Sequence, residues 1–428
     1  MSTLSNTHLQ ETLHYCKLPQ GLEVFVLPRP GFQKKYAVYS TKYGAIDSEF
    51  VDPSTGQRVK VPDGIAHFLE HKLFESEDRP VFDRFAELGA AANAYTSNTI
   101  TSYLFSGTDM FTEALVTLLE FVQTPYLTDA NVAKEKGIIE QELRMYADSP
   151  GRRVYSNLLQ ALYQKNPVRI EVGGTVESIY QITKEDLLLC YRTFYHPGNM
   201  ALFVIGDVNP QAVVELAAAH VRQPENPLDQ GIERIYPEEP DEINQERIIE
   251  EMVVSRPLVY LGLKDNSPGE GLELLRQTVV TNLLHKVVFG PTSSLYTELY
   301  EAGLIDDGFG AFYTAEPQYG FTMLGGETTD PEGLIEKIKG DLEDKLARGF
   351  DHDAFLRVKR QAIGEFLQAF DSLEFIANNY IRYHFRGTSL FDYLSVLEGI
   401  TPEDGEQRLK QHFAPDNMAV SLVLPKGQ

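Results

Sequence analysis

Two cysteines, Cys16 and Cys190, are all that 428 residues contain, and neither sits in a CxxC spacing. A disulfide scaffold and cysteine-based redox or metal chemistry are therefore excluded, and a reducing, cytoplasmic setting is the expectation. No run approaches the roughly twenty apolar residues that cross a bilayer. The opening MSTLSNTHLQETLHYC has neither a basic start nor an apolar core, so neither a membrane span nor an export signal is expected. Positive charge is scarce too: 38 Lys and Arg against 62 Asp and Glu leave a formal charge of -24, which repels polyanions. No basic patch interleaved with aromatics offsets it, so nucleic acid is not an expected partner. Low-complexity tracts and runs of like charge are missing, and 43% hydrophobic residues suffice for packed cores.

The chain is longer than one ordinary core, and it repeats itself. Ile182-Thr-Lys-Glu-Asp186 followed by Pro197-Gly-Asn-Met-Ala201 recurs as Ile400-Thr-Pro-Glu-Asp404 followed by Pro415-Asp-Asn-Met-Ala419, with identical internal spacing. The offset is about half the chain, far beyond a solenoid period, and implies two homologous halves. Each copy reads as a helix capped by Thr183 or Thr401 with acids in its first turn, then a turn, then the strand ALFVIG or AVSLVL. Residues 223–246 carry Pro224, Pro227, Pro237 and Pro240 among acids, without sustained apolar periodicity. They are the expected linker between a first domain over 1–222 and a second over 247–428. LEVFVL and YAVYST read as strands, Gly64 to Phe74 as a helix, Asn93 to Phe105 as strands, and Met110 to Val122 and Asp129 to Tyr146 as helices. Strands and helices that alternate in groups predict an α+β fold, each half a mainly antiparallel sheet packed with helices.

The chemistry concentrates in His67-Phe-Leu-Glu70-His71. Residues four apart on a helix share one face, so the two imidazoles can address one point, with Glu70 beside that line. Zinc favours histidine nitrogen and carboxylate oxygen, and a catalytic zinc keeps three protein ligands and a water. Leu69, Leu73 and Phe74 give the helix an apolar stripe to bury, which a freely solvated helix would lack. In Lys134-Glu-Lys-Gly-Ile-Ile-Glu-Gln-Glu-Leu-Arg144, Glu135 and Glu142 share a face while Glu140 points elsewhere. Either acid could complete a metal site, and both also fit as solvated edge residues.

These segments resemble the pitrilysin and insulinase family, the inverted zincins in which HxxEH replaces HExxH. The resemblance runs through nearly the whole chain and rests on Gly64-Ile-Ala-His-Phe-Leu-Glu-His71, Asn93-Ala-Tyr-Thr96 and Glu135-Lys-Gly-Ile-Ile-Glu-Gln-Glu142. HFLEHKLFE, PVRIEVGGT and YEAGLID are most similar to zinc-bearing bacterial subunits of the mitochondrial-processing-peptidase-like branch. The resemblance implies Zn2+ bound by His67, His71 and Glu142, with Glu70 as catalytic general base. It gives Glu135 a supporting place in the catalytic set, bonded to a ligand or orienting Glu142. It implies that the backbone at Asn93 and Ala94 lies at a sheet edge and takes a peptide substrate as an added strand. It further implies half of a clamshell, completed by a homologous partner subunit or, alternatively, by a second identical chain.

The family's second half supplies an Arg and a Tyr, seven positions apart, that reach the peptide at the metal. Leu299 and Asp306 stand at those positions here, and neither can donate as those do. His285, near the position matching the zinc helix, has no second His or adjacent Glu and reads as structural. The expected function is a zinc endopeptidase subunit that draws the Arg and Tyr from its partner. The alternative is a non-catalytic assembly or binding subunit of a peptidase-like complex, against which the intact HFLEH and Glu142 argue.

Overall fold

The computed structural model describes residues 1–224, 228, 231–414 and 417–427. Pro227 of the expected linker, and Pro415 and Asp416 of the second repeat, lie outside the described residues.

Strands β1 (Ser2–Asn6), β2 (Glu11–Lys17), β3 (Glu23–Pro28) and β4 (Lys35–Thr41) are followed by a small ribbon, β5 (Glu49–Val51) with β6 (Arg58–Lys60). Helices α1 (Ile65–Leu73) and α2 (Val81–Glu87) precede β7 (Ala91–Thr96) and β8 (Thr101–Gly107). Then come α3 (Phe111–Val122), α4 (Asp129–Ala147), α5 (Pro150–Leu162), α6 (Val176–Gln181), α7 (Lys184–Phe194), β9 (Met200–Gly206) and α8 (Pro210–His220). The second half contains β10 (Arg247–Met252), β11 (Leu258–Asp265), α9 (Gly271–Val288), α10 (Ser294–Glu301), β12 (Gly310–Glu316) and β13 (Tyr319–Glu327). It ends with α11 (Pro331–Arg348), α12 (His352–Ala369), α13 (Leu373–Phe385), α14 (Asp392–Gly399), α15 (Pro402–His412) and β14 (Met418–Pro425). Among the described residues no helix is long and apolar enough to cross a membrane.

The first sheet runs β1-β2-β3-β9-β4-β8-β7 and the second β10-β14-β11-β13-β12. In each, one pair is parallel, β3 with β9 and β10 with β14, and the rest are antiparallel. The succession of elements from β4 to β9 therefore matches that from β11 to β14, as an α+β duplication requires. Both repeat helices begin as their sequence predicts, with capping boxes Thr183–Asp186 and Thr401–Asp404.

The compact units depart from the expected boundaries. One contains Met1–Leu143, Glu171–Tyr236 and Ala369–Phe385; the other contains Arg144–Ile170, Pro237–Gln368 and Arg386–Gln428. Helices α5 and α13, fifth in their respective halves, have each joined the other half's sheet. In the first unit Val24, Tyr39, Tyr103, Leu202 and Val204 face the main core. The alternate residues Phe25 and Phe203 pack against Tyr380 of α13 with tilted rings, their centroids 4.9 and 5.0 Å from it. In the second unit α5 lies on β10, β11 and β14. Gly262 of β11 allows it close, because a Cβ there would come within 2.8 Å of Leu162 and 2.9 Å of Leu158.

The acidic connection is tied down at both ends. Val51 N donates to the Glu233 carbonyl and Tyr236 OH to Asp47 in the first unit, while Glu239 pairs with Lys264 and Asn244 caps α5 backbone at Gln160 in the second.

Candidate metal centre

Helix α1 is anchored by its apolar side. Ile65, Phe68, Leu69 and Leu73 are buried, each contributing roughly 1.5–3 kcal/mol. Its start is fixed by Gly64 at φ 89°, where a Cβ would meet the Gly173 carbonyl at 2.3 Å. Gly173 also borders His67, 3.5 Å from Nδ1 to where its own Cβ would be, so the Gly173-Gly174 pair shapes the space beside that ring. The other side of α1 presents His67, Glu70 and His71, with the two imidazoles edge to face at a centroid distance of 4.5 Å.

Helix α4 brings the acids. Val132, Glu135, Ile139 and Leu143 form its buried stripe, and Glu142, one position from that stripe, stays half-buried. Glu142 Oε2 lies 3.7 Å from His67 Nε2 and 3.6 Å from His71 Nε2. His71 Nδ1 faces Glu135 Oε1 at 3.1 Å, so this nitrogen donates and Nε2 is left with its lone pair toward Glu142. Glu140, by contrast, accepts from Tyr180 OH at 2.6 Å.

One ligand atom from each of His67, His71 and Glu142 lies within 4.8 Å of the others, a group unique among the described residues. Tetrahedral zinc with bonds of about 2.0–2.1 Å spaces its ligands roughly 3.4 Å apart, so the two His–Glu separations need to close by only a few tenths of an ångström. Two imidazole nitrogens and a carboxylate are a donor set that zinc accepts. The residues fit the ion.

Electrostatics divide the acids. Burial raises the Glu70 carboxyl above its ordinary value, reinforced by Glu142 and opposed by Thr96 and His71. Thr96, at the end of β7, donates to Glu70 Oε2 at 2.6 Å. Burial pushes Glu135 up as well, but His71 and the Lys72 ammonium outweigh it and hold the carboxyl below its ordinary value. For His71 burial favours the neutral ring, yet Glu135, Glu70 and Glu142 together raise it above the ordinary imidazole value.

Asn93 and Ala94 lie on β7, the terminal strand of its sheet, which pairs through β8 alone among the described strands. Leu299 is buried within α10, and Asp306 accepts from Gly308 N at 2.9 Å. His285 is buried on α9, facing Thr322 Oγ1 at 2.9 Å. Three participants escaped the sequence reading: Thr96 against Glu70, Lys72 against Glu135, and the Gly173-Gly174 pair. Thr96 sits inside the Asn93-Ala-Tyr-Thr segment, and Lys72 interrupts an apolar stripe; both signals were present in the sequence.

Residues 54–176 match the family model described as insulinase, peptidase family M16, and residues 181–362 match the peptidase M16 inactive domain. The uncharacterized zinc protease YmfH of Bacillus subtilis is 45% identical over 98% of each chain. The mitochondrial-processing peptidase subunit beta of Caenorhabditis elegans is 29% identical over 39% of this chain and 38% of its own. A crystal structure of an M16-like peptidase from Alicyclobacillus acidocaldarius superposes with a TM-score of 0.93 at 41% identity, covering 97% of this chain and 99% of that one. Pitrilysin shares the fold at 16% identity and a TM-score of 0.77, and this chain spans 46% of its length.

Proposed function

The chain belongs to the insulinase family, peptidase family M16, and from that premise we propose that it is a zinc-dependent endopeptidase subunit acting on peptides or unstructured protein segments. The observation that carries the reading is the convergence of His67, His71 and Glu142, with Glu70 on the same helix face. Zinc, when bound, polarises a peptide carbonyl and acidifies the attacking water.

Glu70 takes a proton from that water and returns it to the leaving amine. Thr96 holds one of its oxygens, leaving Oε1 for the transfer. Glu135 keeps His71 in the tautomer that offers Nε2. The open edge of β7 at Asn93 and Ala94 suits an extended substrate, which main-chain pairing would hold with little regard to sequence. The zinc-bearing half is 1–222 and the half over 247–428 is non-catalytic, joined through 223–246. Because Leu299 is buried and Asp306 is acidic, oxyanion donors come from a homologous partner subunit, with a second copy of this chain as the alternative.

Metal analysis of the purified chain should give one zinc per molecule. Glu70→Gln should keep that zinc and lower cleavage of an unstructured peptide about 10²–10⁴-fold, assayed with the partner present. A wild-type chain that takes up no zinc sinks the proposal, and loss of zinc from the variant would make Glu70 a ligand instead of the base.

A further inference from the structure

Lysine is almost never wholly buried without a partner, and Lys72 is wholly buried. It occupies the core stripe of α1, where Ile65, Phe68, Leu69 and Lys72 follow i, i+3, i+4, i+7 spacing. Helix α4 has the complementary anomaly: of its buried Val132, Glu135, Ile139 and Leu143, only Glu135 is charged. The two exceptions meet. Lys72 Nζ lies 3.7 Å from Glu135 Oε2 and 3.4 Å from the Asn131 carbonyl, and it also pairs with Glu75 Oε2. Three ammonium donors thereby face three oxygens. The other oxygen of Glu135, Oε1, faces His71 Nδ1 at 3.1 Å.

A carboxylate held at one oxygen can swing about its terminal torsion; held at both, it turns only by giving up a contact. Lys72 and His71 hold Glu135 at both. Its orientation in turn fixes the His71 ring, whose Nε2 lies 3.6 Å from Glu142. We infer that Lys72 is a positioning residue for the metal centre, clamping Glu135 so that His71 presents Nε2 to zinc; the inference rests on the zinc reading above. Glu75 has the outer, lesser share. It is 31% exposed and stands at the wall of an 800 Å³ cavity lined also by Arg79, Arg84, His220 and Arg222, where water can replace it as a partner.

The test uses the full chain stripped of metal, with zinc affinity measured by competition against a chromophoric chelator and the visible spectrum of the cobalt-substituted form read alongside. Lys72→Met keeps the length and volume of the stem and removes the ammonium. It should weaken zinc about 10–100-fold and alter the cobalt bands. Glu75→Gln should cost at most about fivefold. In a Glu135→Gln background, adding Lys72→Met should change zinc affinity by less than about twofold, because Lys72 acts through Glu135. That double variant removes both buried charges together, so it decides the matter even if Lys72→Met alone fails to fold. Wild-type zinc affinity in Lys72→Met overturns the inference whatever happens to its apo Tm, and so does a full additional loss in the double variant. A wild-type chain without zinc would instead overturn the metal reading, and this inference with it.

Discussion

Helices α1 and α9 follow the same strand in two sheets of like connectivity, yet one turns its imidazoles toward a carboxylate and the other seals its imidazole away. Helix α1 has an apolar side and a polar side, and the polar side meets a carboxylate. Helix α9 is buried nearly all round, at Leu274, Leu275, Val279, Val280, Leu283, Leu284 and Val288 as well as at His285. There His285 Nε2 and His412 Nε2 share the single hydroxyl of Thr322, at 2.9 and 2.7 Å. The hydroxyl has one proton and two lone pairs, so it can donate to only one of them and at least one ring donates its Nε2–H to the oxygen. Burial, with the Arg408 cation nearby, pushes both rings down to about 3, and they stay neutral. The two like-connected sheets thus each carry a packed helix at this position, with histidines that face a carboxylate in one and a histidine that is a hydrogen-bonded piece of core in the other.

The largest effect that can break this comparison comes from removing one group from each side. Glu142→Gln takes away an anionic ligand, and the expected outcome is loss of stoichiometric zinc with peptide cleavage at background. His285→Asn should leave zinc content unchanged and lower stability by about 1–3 kcal/mol, because Thr322 loses a buried partner. Metal analysis and denaturant titration on the same preparations read both. Release of zinc by His285→Asn would mean that the second helix belongs to the metal site after all.

Much of this was legible in the sequence, for physical reasons that also mark where legibility stops. Spacing on one helix face is a local property, so His67, Glu70 and His71 could be grouped, and so could Glu135 with Glu142. Cap chemistry is local too, and Thr183 and Thr401 begin their helices as read. The resemblance, not the spacing, chose between the two acids of α4. What the sequence could not disclose is which surface an amphipathic helix covers. The buried stripe of α5, with Val154, Leu158, Leu159 and Leu162, requires a partner without naming it, and the helix lies on β11 and β14 of the other half. Lys72 does not stand out in the sequence, because a charged residue in an apolar stripe ordinarily marks its edge.

Acid sharpens the comparison, because the two sets of imidazoles respond through different properties. His71 is raised, and a proton on Nε2 competes with zinc. Zinc affinity should therefore hold above that pKa and fall by about tenfold for each pH unit below it. His285 and His412 are depressed to about 3 in the folded chain, against about 6.5 when unfolded. Between those values the unfolded chain binds more protons. Their contribution to stability is therefore complete above about pH 6.5 and is lost as pH falls toward 3, by up to about 1.4 kcal/mol per pH unit for each ring. Urea titrations from pH 7 to 5 should show the gap between wild type and His285→Asn narrowing as pH falls. A gap that widens would mean that the rings are charged in the folded chain.

The smallest effect concerns the strand ends that face the two helices. β7 finishes at Thr96, whose hydroxyl holds Glu70, whereas β12 finishes at Glu316, which is clasped by Arg386. The first arrangement holds one oxygen of the Glu70 carboxylate and leaves the other; the second joins two charges into a pair with no such freedom. Thr96→Val keeps the shape of the side chain and removes the donor. A hydrogen bond to a charged group contributes about 1.5–3 kcal/mol. Only the part that orients Glu70 during proton transfer reaches the rate, so kcat should fall about tenfold with KM little changed. Thr96→Ser restores the donor and should recover most of the rate. The measurement is kcat and KM on an unstructured peptide, normalised to zinc content, for both variants. If Thr96→Val sheds zinc, or if Thr96→Ser is as slow as Thr96→Val, the hydroxyl supports the packing of β7 and does not orient the base.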